Sequence, residues 1–259
     1  MITSSTNSKI QQLRRLSGRR GARLEAGAFV VEGPVLVAEA LAGSLDVLEI
    51  FVGELAQPPD TSGARVAPEV VVCAEGLLER VLSTRTPQPM AAVVALPAVD
   101  LAELAARSGP VLVADQLADP GNAGTLIRAA EAAGWTGVVF SANSVDPFAP
   151  KVVRASAGSV LRVPVVASAG SALEILGQLS PRPAVAALAA GGIPHLQMRW
   201  PDEVVLVIGN EAHGLDPDVI SACRSAVTIE MDGPTESLNA AMAGTVLMFE
   251  VLRSRRSGT

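Results

Sequence analysis

Apolar positions along the chain follow one rhythm up to about residue 97 and another beyond it. Between residues 7 and 16 the apolar residues Ile10, Leu13 and Leu16 stand three apart. That spacing predicts a helix with one narrow apolar stripe and a polar, basic remainder. Residues 29–31 predict a short strand, Glu32-Gly33-Pro34 a turn and residues 35–41 an apolar helix. Strands are expected at 47–52, 70–73 and 91–96, with a helix over 74–82. This is a small α/β unit covering residues 1–97.

Residues 98–108 change character and read as a linker, helical over 100–107, with Gly109-Pro110 as a stop. From residue 109 to 259 short apolar runs alternate with helical segments. Strands are expected at 111–115, 137–141, 165–166, 184–188 and 204–209, with helices at 122–133 and 172–177. Apolar strands without alternation are buried on both faces, which predicts a parallel sheet flanked by helices. The last helix, 238–252, is apolar around nearly its whole circumference and should be buried all round. Burial within one chain and burial against a second subunit both satisfy that pattern; a homodimer through this helix is the expectation.

Composition sharpens the picture modestly. Hydrophobic residues make up 49% of the 259, aromatics only 3%, and tyrosine is absent, so small aliphatic side chains must fill the interior. The net charge of -6 argues against a generally basic nucleic-acid binder, but its distribution is uneven. Up to Arg23 the chain carries Lys9, Arg14, Arg15, Arg19, Arg20 and Arg23 without an acid, and the tail carries Arg253, Arg255 and Arg256. Such an arm suits a phosphate backbone or is simply a solvated helix. Cys73 and Cys223 read as unpaired thiols in a reducing compartment, and His195 and His213 make no metal cluster. No leader and no membrane span are visible, so a cytoplasmic location is expected.

Three segments carry candidate chemistry. Residues 115–134, DQLADPGNAGTLIRAAEAAG, leave a strand, turn at Asp119-Pro120-Gly121 and enter a helix for which Asn122 is a candidate cap. The dinucleotide-binding pattern GxGxxG is absent, which removes a nucleotide-dependent oxidoreductase. In 207–217, VIGNEAHGLDP, a buried strand ends at Gly209 with Glu211 just beyond it, where α/β proteins bind ligands. In 229–250, IEMDGPTESLNAAMAGTVLMFE, a strand ending at Met231 is followed by Ser237 and Asn239 at the mouth of the apolar helix, with Thr235 or Ser237 as its candidate cap.

In this order and spacing the three segments resemble the signature motifs of the SpoU family of RNA ribose 2'-O-methyltransferases, within the SPOUT superfamily. KVVRASAGSVLRVPV at 151–165 is similar to the segment linking the first two. More loosely, ITSSTNSKIQQLRRL and FVVEGPVLVAEAL resemble the substrate-binding domain of one branch. The resemblance implies a parallel-sheet methyltransferase domain with a C-terminal trefoil knot over 109–259, preceded by an RNA substrate-binding domain over 1–97. It implies S-adenosylmethionine held by Leu188, Ala189, Ile208, Gly209, Ile229, Met231 and Leu238, and no metal. Arg128, Glu211, Ser237 and Asn239 fall at the reacting end, with Asn122 supporting Arg128. Arg128 matches the activator of the 2'-hydroxyl; a guanidinium keeps its proton, so steadying an alkoxide or a phosphate suits it better than acting as base. Arg14, Arg15, Arg19 and Arg20 are expected to bind RNA. The implied substrate is structured RNA, with 23S ribosomal RNA favoured over tRNA; a catalytically silent RNA-binding protein is the other alternative.

Overall fold

The computed structural model describes residues 1–82 and 88–257. Along the chain run α1 (Ser8–Gly18), α2 (Arg20–Ala26), β1 (Ala28–Glu32), α3 (Pro34–Ala42), β2 (Val47–Gly53), β3 (Glu69–Cys73) and β4 (Met90–Ala95). Then follow α4 (Leu101–Ala106), β5 (Val111–Ala114), α5 (Pro120–Ala132), β6 (Gly137–Phe140), α6 (Pro150–Ala155), β7 (Val165–Ala167), α7 (Ala172–Leu179) and β8 (Ala184–Leu188). The chain closes with β9 (Ile193–Pro194), β10 (Val205–Ile208), α8 (Pro217–Ala222), β11 (Ser225–Thr228) and α9 (Ala240–Ser257). No helix among the described residues is long and apolar enough to cross a membrane.

The chain divides into two compact units, one of residues 1–98 with 148–162, the other of 99–147 with 163–259. The first is built on a sheet of order β1-β4-β2-β3, in which β4 runs antiparallel to both neighbours and β3 parallel to β2. The predicted stripe of α1 is its buried edge: Ile10, Leu13 and Leu16 pack on Val30, Phe51, Val71 and Val93. Residues 74–82 form successive turns instead of the expected helix. Gly76 adopts a left-handed conformation (φ +70°) that breaks helical propagation, while Leu77 and Leu78 still reach the core. Residues 148–162, expected in the C-terminal domain, pack within this first unit. Phe148 meets Phe29 at 5.2 Å between ring centroids, Arg154 pairs with Glu32 at 3.1 Å, and Arg162 pairs with Glu39 at 2.7 Å.

The second unit holds a sheet of order β7-β6-β5-β10-β8-β11-β9, parallel throughout. Its central strands are buried on both faces, as their uninterrupted apolar sequence requires. On one face Leu104, Ile175, Leu179 and Val219 from α4, α7 and α8 pack on Val113 and Val207. On the other lie α5 and α9, so close that a Cβ on Gly244 would stand 2.4 Å from the Leu126 side chain. The expected linker 98–108 is thus part of this core through α4, whose start is capped by Asp100. Strand order reverses direction between β5 and β10. In open α/β sheets such a switch point opens a crevice at the carboxyl ends of the strands.

Candidate functional site

Loops leaving β8, β10 and β11 surround a cavity of about 570 Å³. Its walls are Leu188 and Ala189 after β8, Ile208 and the loop 209–214 after β10, Ile229 and Met231 after β11, and Ser237, Leu238 and Asn239 before α9. All the residues expected to hold a cofactor therefore line one cavity. The strand expected to end at Met231 stops at Thr228, leaving Ile229 and Met231 on the loop that forms the wall. The 210–214 loop folds back over Gly209, closed by reciprocal bonds between Asn210 and Gly214 of 3.0 and 2.9 Å. A Cβ on Gly209 would stand 2.4 Å from the Gly214 carbonyl, so only glycine admits this turn.

A chain of hydrogen bonds joins all three motifs beside the cavity. The Glu211 carboxylate accepts the Ala118 amide at 3.0 Å, and the Asp119 amide and Asn122 Nδ2 at 2.9 Å each. Asn122 Oδ1 in turn accepts Asn239 Nδ2 at 2.9 Å. Asn239 Oδ1 accepts the amides of Ala241 and Met242, at 2.9 and 3.2 Å, and so caps α9. The cap is therefore neither Thr235 nor Ser237, because the helix starts at Ala240. Likewise Asp119 caps α5 by accepting the Asn122 amide at 2.8 Å, and Asn122, the expected cap, sits inside the first turn. Burial pushes the Glu211 carboxyl up, but the hydrogen bonds from Ala118, Asn122 and Asp119 outweigh it and hold the group below the usual glutamate range.

Arg128 stands apart from this group. It stands six helical positions after Asn122, a rotation of about 240° that turns the two side chains to different faces. Asn122 therefore supports Glu211 and Asn239, not Arg128. Arg128 is exposed beside Gly121 and Thr125 and has no ion pair or hydrogen bond among the described residues. Ser237 lines the cavity, exposed and equally free of hydrogen bonds among the described residues. The face of α9 carrying Met242, Val246 and Phe249 is 58%, 39% and 44% exposed, so the helix expected to be buried all round keeps one apolar stripe open.

A second network backs the cavity loop and escaped the sequence reading. Asp115, the residue after β5, is buried and accepts the Ser141 hydroxyl at 2.6 Å. Ser141 Oγ accepts the Gln116 amide at 3.0 Å, and the Gln116 carbonyl accepts Asn210 Nδ2 at 2.8 Å. Gln116 is thereby held left-handed, at φ +50°. Asn210 Oδ1 accepts the amides of Ala212 and His213, fixing the loop over Gly209. Burial raises the Asp115 carboxyl, the Ser141 bond opposes it and nearby Asp216 adds to it. A carboxylate ending an apolar strand was the available signal.

In the first unit the basic arm is smaller than its sequence. Lys9 pairs with Glu49 at 2.8 Å and with Glu69 at 2.5 Å, and these hydrogen bonds raise its ammonium above the ordinary lysine value. Arg23 is buried and donates to the Leu16 carbonyl at 2.6 Å. Arg14, Arg15, Arg19 and Arg20 remain exposed, Arg15 beside Glu25 at 3.3 Å.

The family model described as SpoU rRNA Methylase family matches residues 109–249, and that of the MRM3-like substrate binding domain matches residues 7–92. The 23S rRNA (guanosine(2553)-2'-O)-methyltransferase RlmP of Bacillus subtilis is 32% identical over 251 residues, covering 96% of this chain and 98% of the relative. The 23S rRNA (uridine(2479)-2'-O)-methyltransferase of Streptomyces viridochromogenes is 30% identical, covering 98% of this chain and 93% of the relative. Among solved structures, the SpoU methyltransferase AviRb of Streptomyces viridochromogenes in complex with AdoMet superposes with a TM-score of 0.86 at 30% identity, covering 98% of this chain and 100% of that one. The AdoMet-bound rRNA methyltransferase of Sinorhizobium meliloti gives 0.86 at 26% identity, covering 97% of each.

Proposed function

The chain belongs to the SpoU rRNA methylase family, and from that premise we propose that it transfers a methyl group from S-adenosylmethionine to a ribose 2'-hydroxyl of 23S ribosomal RNA in the cytoplasm. The observation that carries the reading is the cavity at the carboxyl ends of β8, β10 and β11, with a polar cluster from all three motifs at its edge. Its form suits the cofactor. Leu188, Ile208, Ile229, Met231 and Leu238 offer apolar walls for an adenine, and the backbone of Ala189 and Gly209 offers close polar contacts. When bound, S-adenosylmethionine supplies the electrophilic methyl.

In this reading Glu211 fixes geometry and does not remove the proton, since three donors already occupy its carboxylate. Asn122 and Asn239 set the distance between the starts of α5 and α9. Ser237, unpartnered at the cavity, is left to orient the ribose. Arg128 steadies the developing alkoxide or its neighbouring phosphate. Arg128 is exposed on α5, which packs on α9, and in this reading it acts on the cavity of a second copy. A homodimer through Met242, Val246 and Phe249 is part of the proposal, as are a trefoil knot in the 109–259 domain and RNA contacts by Arg14, Arg15, Arg19 and Arg20.

The test is transfer of labelled methyl groups to 23S ribosomal RNA from cells lacking the protein. Label should appear in a dinucleotide resistant to alkali, since a methylated 2'-oxygen cannot attack the adjoining phosphate; label confined to a base would sink the reading. Sedimentation should give a dimer, and Phe249→Asp a monomer. Mixing inactive Arg128→Ala and Asn239→Ala chains should restore part of the activity if sites are shared, and none if each chain works alone.

A further inference from the structure

Within the first unit, α1 and α2 enclose a groove of about 530 Å³ away from the sheet. Ser8, Gln12 and Arg15 line it from α1 at helical spacing, and Ala22, Glu25 and Ala26 face them from α2. The groove is preformed: the buried Arg23 guanidinium, bonded to the Leu16 carbonyl, ties α2 to the end of α1. Its α2 wall is low because two of its residues are alanines. The hydroxyl of Ser8 and the amide of Gln12 have no hydrogen-bond partner among the described residues. Across the groove Arg15 meets Glu25, with the two side chains 56% and 76% exposed. A pair so wet contributes little and opens easily.

We infer that this groove receives an unpaired nucleotide of the RNA substrate, its base between the two helices and its phosphates toward Arg19 and Arg20. The inference rests on the reading of the chain as an RNA methyltransferase and assigns a place within residues 7–92, the region matched by a substrate-binding model. Gln12 and Glu25 together offer a mixed amide and an acceptor, groups that read base edges. A base in a duplex cannot enter such a slot, whereas a splayed one can. Stacking on an aromatic ring is not available here: Phe29, Phe51 and Phe148 are buried, and the first unit has no other ring. The planar face therefore falls to the Arg15 guanidinium, released when the base displaces Glu25.

The full chain, without cofactor, is titrated with a short mixed-sequence RNA, single-stranded or annealed to its complement. The single strand should bind more tightly. Ala26→Leu, which fills the slot without altering charge at an exposed position, should cut single-strand affinity about tenfold and leave duplex affinity unchanged. Gln12→Ala should do the same to a smaller extent. A single-strand to duplex ratio that stays at the wild-type value in both variants overturns the inference. Failure of methyl transfer to ribosomal RNA would instead overturn the function on which it rests, and the binding ratio reads independently of that.

Discussion

The cavity beyond β8, β10 and β11 and the groove between α1 and α2 have similar volumes, about 570 and 530 Å³, but are made of different material. The cavity is shaped by backbone: a glycine turn, strand ends and amides tied down by Glu211 and Asn210, with Asp115 holding the Ser141 hydroxyl behind them. The groove is shaped by solvated side chains on two short helices. The first arrangement holds one ligand in one geometry, because moving any part breaks several linked hydrogen bonds at once. The second tolerates variation, because exposed charges contribute separately and weakly. Substitutions at the cavity should therefore act steeply, and those around the groove in small increments.

The largest expected effect is that of Arg128→Ala. Losing a group that stabilises charge in the transition state costs about a hundredfold to a thousandfold in rate. Binding of S-adenosylmethionine should stay within about twofold, since Arg128 does not line the cavity, and calorimetry alongside single-turnover transfer separates the two. Next comes Gly209→Ala. Its Cβ would collide with backbone rather than a yielding side chain, so the 210–214 loop must move. Cofactor affinity should drop about tenfold to a hundredfold with the far-ultraviolet circular dichroism unchanged; unchanged affinity would mean the loop is not the cofactor wall.

Much of this difference was legible in the sequence, for a physical reason. Burial on both faces leaves a local trace, so the uninterrupted apolar strands around β5 and β10 could be read directly. So could the α1 stripe of Ile10, Leu13 and Leu16. Glycine at 209 and the polar residues 122, 211 and 239 stood out because each interrupts a strongly patterned segment. What stayed hidden depends on contacts between distant segments. Asn239 caps α9 only because that helix starts at Ala240, and Asp115 meets Ser141 across neighbouring strands. Residues 148–162 belong to the first unit through Glu32 and Glu39, more than a hundred positions away. Charge misled in the other direction: Lys9 and Arg23 count toward the basic arm until Glu49, Glu69 and the Leu16 carbonyl are seen to occupy them.

Protonation gives a gentler probe of the cavity. The folded-state pKa of Glu211 is depressed, so its contribution is present above the ordinary glutamate value and is lost as pH falls through the lower folded value. Cofactor binding should be flat through neutral pH and weaken only below about pH 4. Glu211→Gln should remove that acid limb and bind less tightly throughout, because its amide NH2 must face one of the donors the carboxylate accepted. An acid limb that persists in the variant would assign it to another group. Asp115 has the opposite sign. Its raised folded pKa means the native state holds the proton more firmly, so stability declines as pH rises from the ordinary aspartate range through the raised value. Asp115→Asn, still able to accept from Ser141, should flatten that decline in thermal melts.

The smallest effects belong to Arg19 and Arg20, at the junction of α1 and α2. Arg19→Glu and Arg20→Glu remove charges that are exposed and without ion pairs among the described residues, so neither should alter the melting temperature appreciably. If each neutralises one phosphate, replacement by glutamine should lower the slope of log affinity against log salt by about 0.7 for a single strand, and charge reversal by more. The effects should add, since two exposed cations share no partner among the described residues. Additivity is what distinguishes this surface from the cavity, where Glu211 and Asn122 act on each other directly. A double variant at the rim that loses much more than the sum of its parts would mean that Arg19 and Arg20 form one preorganised site, and the contrast between the two regions would then lie in location rather than in construction.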